Sequence, residues 1–226
     1  MATLVVAAHP DDEVLGCGGT IARSAQAGEA VYIAILGEGI TSRYQTREQA
    51  NPALVETLQQ RSRQVAELLG AREVFTFGFP DNRLDTVPLL DVVKVVEDLL
   101  TRVRPDVLYT HHGGDLNVDH SIVFRATLIA TRPIGGTAVK SVFAYEVPSS
   151  TEWAFQRVGP AFTPNVFVDI ARSLEIKTKA MEAYDSEARA FPHPRSAEAL
   201  RARAQYWGSV AGVGAAEAFE LIRDVR

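Results

Sequence analysis

One histidine and three carboxylates crowd the stretch Ala8-His9-Pro10-Asp11-Asp12-Glu13, directly after the apolar run Leu4-Val5-Val6-Ala7. A core strand packs just as well when it ends in a plain turn, so packing does not explain this much charge. A divalent cation would neutralise the cluster, with His and Asp as ligands and a spare carboxylate left for proton transfer. His9 and Asp12 are three residues apart across a turn that Pro10 restricts, a spacing that can bring both side chains to one ion. Asp11 then projects differently and stays free. Helix capping is the competing role for Asp11 and Asp12, since carboxylates suit a helix N-terminus. His9 and Glu13 beside them exceed what a cap requires.

A second cluster follows His111-His112, in Asp115-Leu116-Asn117-Val118-Asp119-His120, and supplies His120. Two histidines and one aspartate, with open positions for water, match the three protein ligands of hydrolytic zinc. The same set can hold iron, cobalt or manganese. Asp119 is placed to orient a neighbouring imidazole or a helix start. The single cysteine, Cys17, excludes an internal disulfide and a cysteine-built zinc site. Leu15-Gly16-Cys17-Gly18-Gly19 is not a G-x-G-x-x-G loop and lies inside a helical stretch. It predicts close backbone packing on a sheet rather than phosphate binding.

The elements that must carry these clusters alternate strand with helix. Strands are predicted over Thr3 to Ala8, Val31 to Leu36, Glu73 to Phe77, Asp106 to Thr110, Ser141 to Glu146 and Val166 to Ile170. Helices are predicted over Val14 to Ala27, up to about Leu69 with a stop at Gly70, over Pro88 to Val103, and from about Val118. The tail from Arg172 reads as mostly helical, broken by Phe191-Pro192-His193-Pro194. Such alternation predicts an α/β fold, a Rossmann-like three-layer sandwich with a mostly parallel, doubly wound sheet. Ligands bind such sheets at the strand C-termini where strand order reverses. In the common 3-2-1-4 order, strands one and four are neighbours at that reversal, so His9 and His120 would face each other across one crevice.

With 226 residues, 46% hydrophobic and 23% charged, the chain is expected to form a single domain over 1–226. Net charge is −5 with acids and bases mixed, and no basic block suggests nucleic acid. No apolar run approaches a membrane span, and the N-terminus opens into a strand without a signal-like segment, so the expectation is a soluble cytoplasmic protein.

His9-Pro10-Asp11-Asp12-Glu13, paired with Asp115 to His120, resembles the LmbE-like (PIG-L) zinc-dependent N-deacetylases. The resemblance extends through Gly78 to Asp85, Tyr145 to Ser150 and Phe191 to Ser196. It implies one Zn2+ held by His9, Asp12 and His120, Asp11 as general base, a small-molecule N-acetylated amino sugar or conjugate as substrate, and possible homo-oligomers. Many members carry a histidine three residues before the last ligand, where it helps the oxyanion; this chain has Asn117. An amide donates a hydrogen bond but does not shuttle a proton at neutral pH. His193, in a proline-flanked loop with Arg195, is the candidate for the missing catalytic group.

Glu146 at a strand end, Asp81, Asn82 and Arg83 after strand three, and Arg195 are candidate substrate contacts. Arg43, Arg61 and Arg63 are weaker ones. Two other functions fit the same residues. One is a zinc amidase acting on a thiol conjugate or another N-acyl compound. The other is a non-catalytic sugar- or nucleotide-binding module, which predicts no stoichiometric metal.

Overall fold

The computed structural model describes residues 1–134 and 139–226. Strands β1 (Ala2–Ala7), β2 (Ala30–Gly37), β3 (Glu73–Phe79), β4 (Val107–His111), β5 (Ser141–Tyr145), β6 (Val166–Asp169) and β7 (Ala216–Asp224) form one sheet in the order β3-β2-β1-β4-β5-β7-β6. The run from β3 to β5 is parallel, and β7 is antiparallel to both its neighbours. Helices are α1 (Asp12–Gln26), α2 (Pro52–Leu69), α3 (Leu89–Val103), α4 (Val118–Ala130), α5 (Leu174–Ala183) and α6 (Ala197–Ala211).

The sheet separates two apolar cores. Val5 and Ala7 of β1 pack with α1, α2, α5 and α6 through Val14, Leu58, Val65, Met181 and Leu200. Leu4 and Val6 point the other way, onto Val92, Val96 and Leu99 of α3 and Val123 of α4. β1 is therefore buried on both faces, which is why it reads as a continuous apolar run rather than an alternating one. Each such Val or Leu contributes about 1.5–3 kcal/mol by burial. The three-layer α/β fold is the one expected, with β1 and β4 adjacent where the order reverses.

The glycines of α1 serve packing, as their position predicts. A Cβ on Gly16 would lie 2.2 Å from the Tyr145 ring, and one on Gly19 would lie 2.8 Å from Ile170. Around these glycines the helix takes partners from outside itself. Glu217 of β7 accepts the N–H groups of Gly19 and Thr20, and Lys177 of α5 donates to the Leu15 carbonyl at 2.8 Å. Lys177 and Glu217 are themselves a buried ion pair at 2.6 Å. No local pattern announces it.

The tail departs from the sequence reading. Ala216–Asp224 is a strand, not helix, inserted between β5 and β6. Its alanine, glutamate and leucine are good helix formers, but pairing on both edges overrides that weak preference. Among the described residues no helix is long and apolar enough to cross a membrane.

Candidate active site

β1 delivers the first cluster. The chain leaves the strand through Ala8-His9-Pro10, and α1 begins at Asp12. The turn is tight: Asp11 adopts φ 109°, a region side-chain-bearing residues rarely occupy, at a cost of about 1–3 kcal/mol. The His9 N–H donates to Asp12 Oδ2 at 2.8 Å, which aims that carboxylate back across the turn. Asp11, Asp12 and Glu13 are all buried.

β4 and α4 deliver the second. Asn117 caps α4 by accepting the Asp119 N–H at 2.9 Å, so His120 sits in the first helical turn facing the end of β1. His120 Nε2 lies 3.3 Å from Asp12 Oδ2, and His9 Nδ1 lies 3.3 Å from the same oxygen. His9, Asp12 and His120 each offer an atom within 4.8 Å of the others. Both ring nitrogens of His120 are buried without a hydrogen-bond partner, although Nδ1 approaches Asp115 Oδ1 at 3.0 Å. An imidazole nitrogen and a carboxylate oxygen that face each other without hydrogen-bond alignment suit ligands of a common cation. The donor set fits a divalent transition metal.

The charges agree with that fit. Burial alone would lower the His120 pKa, but Asp12 and Asp115 raise it to about 9. Burial opposes ionising Asp12, yet His120, His111 and His9 hold its carboxyl well below the usual range. Asp115, also disfavoured by burial, is brought to about 2 by His120 and the hydroxyls of Ser150 and Thr151. A proton on His120 compensates Asp12 here; a cation would compete with that proton for the same nitrogen.

A second trio, His9, Asp81 and Asp119, is as close-set as the first. Its oxygens are already engaged. Asp119 Oδ2 meets His9 Nε2 at 2.9 Å and accepts the Asn82 N–H, while Oδ1 accepts the Leu84 N–H. Asp81 accepts the Ser42 N–H and the Asn82 carboxamide. Of the two roles open to Asp119, orienting an imidazole is the one observed, with His9 its partner. His111, stacked on His120 with ring centroids 4.0 Å apart, accepts the Ala8 N–H at Nε2, so the nitrogen nearer Asp12 is engaged by the backbone, while its Nδ1 has no hydrogen-bond partner.

Asp11 does not stand free. Arg195 Nη1 donates to its Oδ2 at 2.6 Å. Burial pushes the Asp11 carboxyl well up against the lowering effect of Arg195, and Asp12, Glu187 and Glu13 add to the rise. Glu13 lies behind: it accepts the Asp11 N–H and the Tyr184 hydroxyl, and burial brings its carboxyl to about 7.

A cavity of about 250 Å³ opens over His9, Asp11 and His120, at the small end for small-molecule sites. Of the expected substrate contacts, Asp81, Asn82 and Arg195 line it, as does Arg43. Arg83 and Glu146 do not, and neither does His193, the expected catalytic group. Arg83 is exposed and reaches the Gln45 carbonyl at 3.3 Å. Glu146 is held by Arg203 and by Trp207 Nε1 at 2.6 Å, both on α6, and faces a separate groove. His193 Nδ1 accepts the Arg195 N–H at 3.2 Å, and its ring meets Trp153 edge-on. Arg61 pairs with Asp185, and Arg63 is exposed.

Ser149, Ser150, Glu187 and Arg189 also line the cavity and escaped sequence reasoning. Glu187 binds Arg43 bidentately at 2.6 and 2.7 Å and contacts Arg195 at 3.4 Å. Only the Ser149-Ser150 pair, in a stretch already singled out, carried a usable signal.

The chain is similar to known proteins to different extents. The Escherichia coli protein named "Uncharacterized deacetylase YaiS" is 30% identical over 189 residues, covering 81% of this chain and 90% of that one. The diacetylchitobiose deacetylase of Thermococcus kodakarensis is 24% identical over 229 residues, covering 97% and 82%. The crystal structure of the conserved protein TT1542 from Thermus thermophilus superposes with a TM-score of 0.77 at 28% identity, covering 99% of this chain and 96% of that one. Residues 4–131 match the family described as "PIG-L: GlcNAc-PI de-N-acetylase". That span runs from β1 to the end of α4 and holds both halves of the cluster, so the chain belongs to the PIG-L family.

Proposed function

We propose that the chain, working as one domain over residues 1–226, is a metal-dependent hydrolase that removes the N-acetyl group from an amino sugar or amino-sugar conjugate. One observation carries the reading: the buried His120 faces Asp12 with hydrogen-bond-free nitrogens, in the cavity that also holds the Asp11 carboxylate. The deacetylase names of the matched relatives support the reaction class. His9, Asp12 and His120 would hold the ion, with Zn2+ the first choice for a His/His/Asp set. When bound, such an ion supplies a water acidified towards pKa ~7 and polarises an acyl carbonyl.

The chain's own groups do the rest. Asp11 takes the proton of the attacking water and returns it to the departing amine. Arg195 holds that carboxylate at 2.6 Å and limits its rotation. Asp119 meets the outer nitrogen of His9 at 2.9 Å and sets its ring orientation, while Asp115 faces that of His120 at 3.0 Å. Asp81, Asn82 and Arg195 line the space for the sugar.

The test is metal analysis of purified protein beside acetate release from N-acetylhexosamines, their glycosides and N-acyl thiol conjugates. Stoichiometric metal, loss of rate on chelation and preference for the sugars are expected. Preference for the thiol conjugates would move the substrate class. Metal-free protein with its full rate would remove the central assignment and favour a binding module.

A further inference from the structure

Amide hydrolysis puts negative charge on the acyl oxygen, and that charge needs donors fixed in advance. The donors at this cavity differ in what they already hold. Asn117 gives Nδ2 to Asn82 Oδ1 at 2.8 Å, while its own Oδ1 caps α4. Asn82 turns its Nδ2 to Asp81 and Ser42. Arg43 is bound to Glu187. Arg195 gives Nη1 to Asp11 and Nε to Ser149. Two buried hydroxyls line the cavity, Ser149 and Ser150. Ser150 donates to Asp115. Ser149 Oγ accepts from Arg195 Nε at 2.8 Å, and its own hydrogen has no acceptor among the described residues.

The backbone at Ser149 adds a second observation. Its φ is 76°, in the left-handed region where glycine sits without strain and serine does not. Its N–H donates to Glu152 Oε1 at 2.8 Å, which holds the strained turn in place. Strain of this kind gathers at functional sites. A glycine would relieve it, at the loss of the hydroxyl.

We infer, building on the deacetylase reading above, that the Ser149 hydroxyl donates a hydrogen bond to the substrate's acyl oxygen as the carbonyl becomes tetrahedral, with Arg195 positioning it. The hydrogen stays on Oγ throughout. The bond strengthens as charge develops on the acyl oxygen, so it acts on the transition state more than on the bound substrate.

Ser149→Gly removes the hydroxyl and relaxes the turn; Ser149→Ala removes the hydroxyl and keeps the strain. On zinc-loaded protein with N-acetylglucosamine, both variants should lose about 10² in kcat, with KM within about twofold. Calorimetry with the N-methylphosphonamidate of glucosamine, a tetrahedral anion at the acyl position, should show a similar fall in affinity for both. Parental kcat and parental analogue affinity in Ser149→Gly would overturn the assignment. So would a loss confined to KM, or one seen in the alanine variant alone. A parent that releases no acetate but binds the analogue leaves the decision to calorimetry. A parent that does neither overturns the deacetylase reading, and the role of Ser149 with it.

Discussion

His9 stands between two groups of acids, and its ring nitrogens meet different chemistry on each side. Nε2 faces Asp119 at 2.9 Å and Asp81 at 3.4 Å, where every carboxylate oxygen already has a donor. Nδ1 faces Asp12 at 3.3 Å, beside a His120 whose nitrogens have no hydrogen-bond partner. The two trios have similar residue types and similar spacing, so composition does not separate them. Hydrogen-bond saturation does. A cation on the Asp119 side would compete with the hydrogen bonds that all four carboxylate oxygens accept, whereas on the Asp12 side it would meet His120 nitrogens that lack partners and share Asp12 Oδ2 with the His9 N–H. On the proposed reading, one side would bind the ion and the other would aim a ligand.

The contrast is broken most directly by removing a residue of the unsaturated side. His120→Ala should leave almost no metal by elemental analysis and bring acetate release to background. Asp11→Asn comes next: metal content should stay at the parental level while kcat falls by about 10²–10⁴. If that variant keeps the parental rate, Asp11 is not the base. On the saturated side, Asp119→Asn should cost about 10–100-fold in metal affinity or activity, since it disturbs the orientation of His9 and the hold on the Asn82 and Leu84 N–H groups but removes no proposed ligand. Competition with a chelator measures the first and initial rates the second. Metal loss as complete as in His120→Ala would mean that Asp119 is itself a ligand, and the distinction between the sides would collapse.

The half of the site that converges through the sheet was legible in the sequence. His9 and Asp12 lie at the end of a strand buried on both faces, and the common strand order places the end of β4 beside it. From there the α4 cap turns His120 inward. The half that converges through loops was not legible. Asp11 and Arg195 are 184 residues apart, and no strand register joins them. Glu146 failed for a related reason. A strand end does point towards the crevice, but Arg203 and Trp207 of α6 capture the carboxylate first. His193 sits in the expected loop, yet the chain there presents Arg195 to the cavity and turns the imidazole towards Trp153.

His112 extends the contrast to a histidine with no unsatisfied nitrogen, and there the smallest effect on turnover is expected. Nδ1 lies 2.8 Å from Glu220 of β7, and Nε2 lies 2.9 Å from the Pro160 carbonyl. A carboxylate and a carbonyl both only accept, so both ring nitrogens carry hydrogen and the ring is an imidazolium. Burial lowers its pKa, but Glu220 and the Pro160 carbonyl more than offset this and raise it above 6.5. Burial likewise works against the Glu220 carboxylate, and His112 pulls it below 4.5. The raised His112 adds stability that is whole below its unfolded value and is lost as pH climbs through the folded one. The lowered Glu220 adds stability that is present above its unfolded value and is lost as pH falls through the folded one. The pair therefore contributes most between these limits and fades on the alkaline side. His112→Gln should cost about 1–3 kcal/mol in urea unfolding near pH ~6. The gap to the parent should narrow at alkaline pH, once pH has climbed through the raised folded value of the ring. Metal content should be unchanged, and kcat should move by less than about twofold, because the side chain touches neither the cavity nor its ligands. A gap of equal size at both pH values would mean that the ring is not charged, and saturation by two acceptors would no longer mark a histidine as a brace.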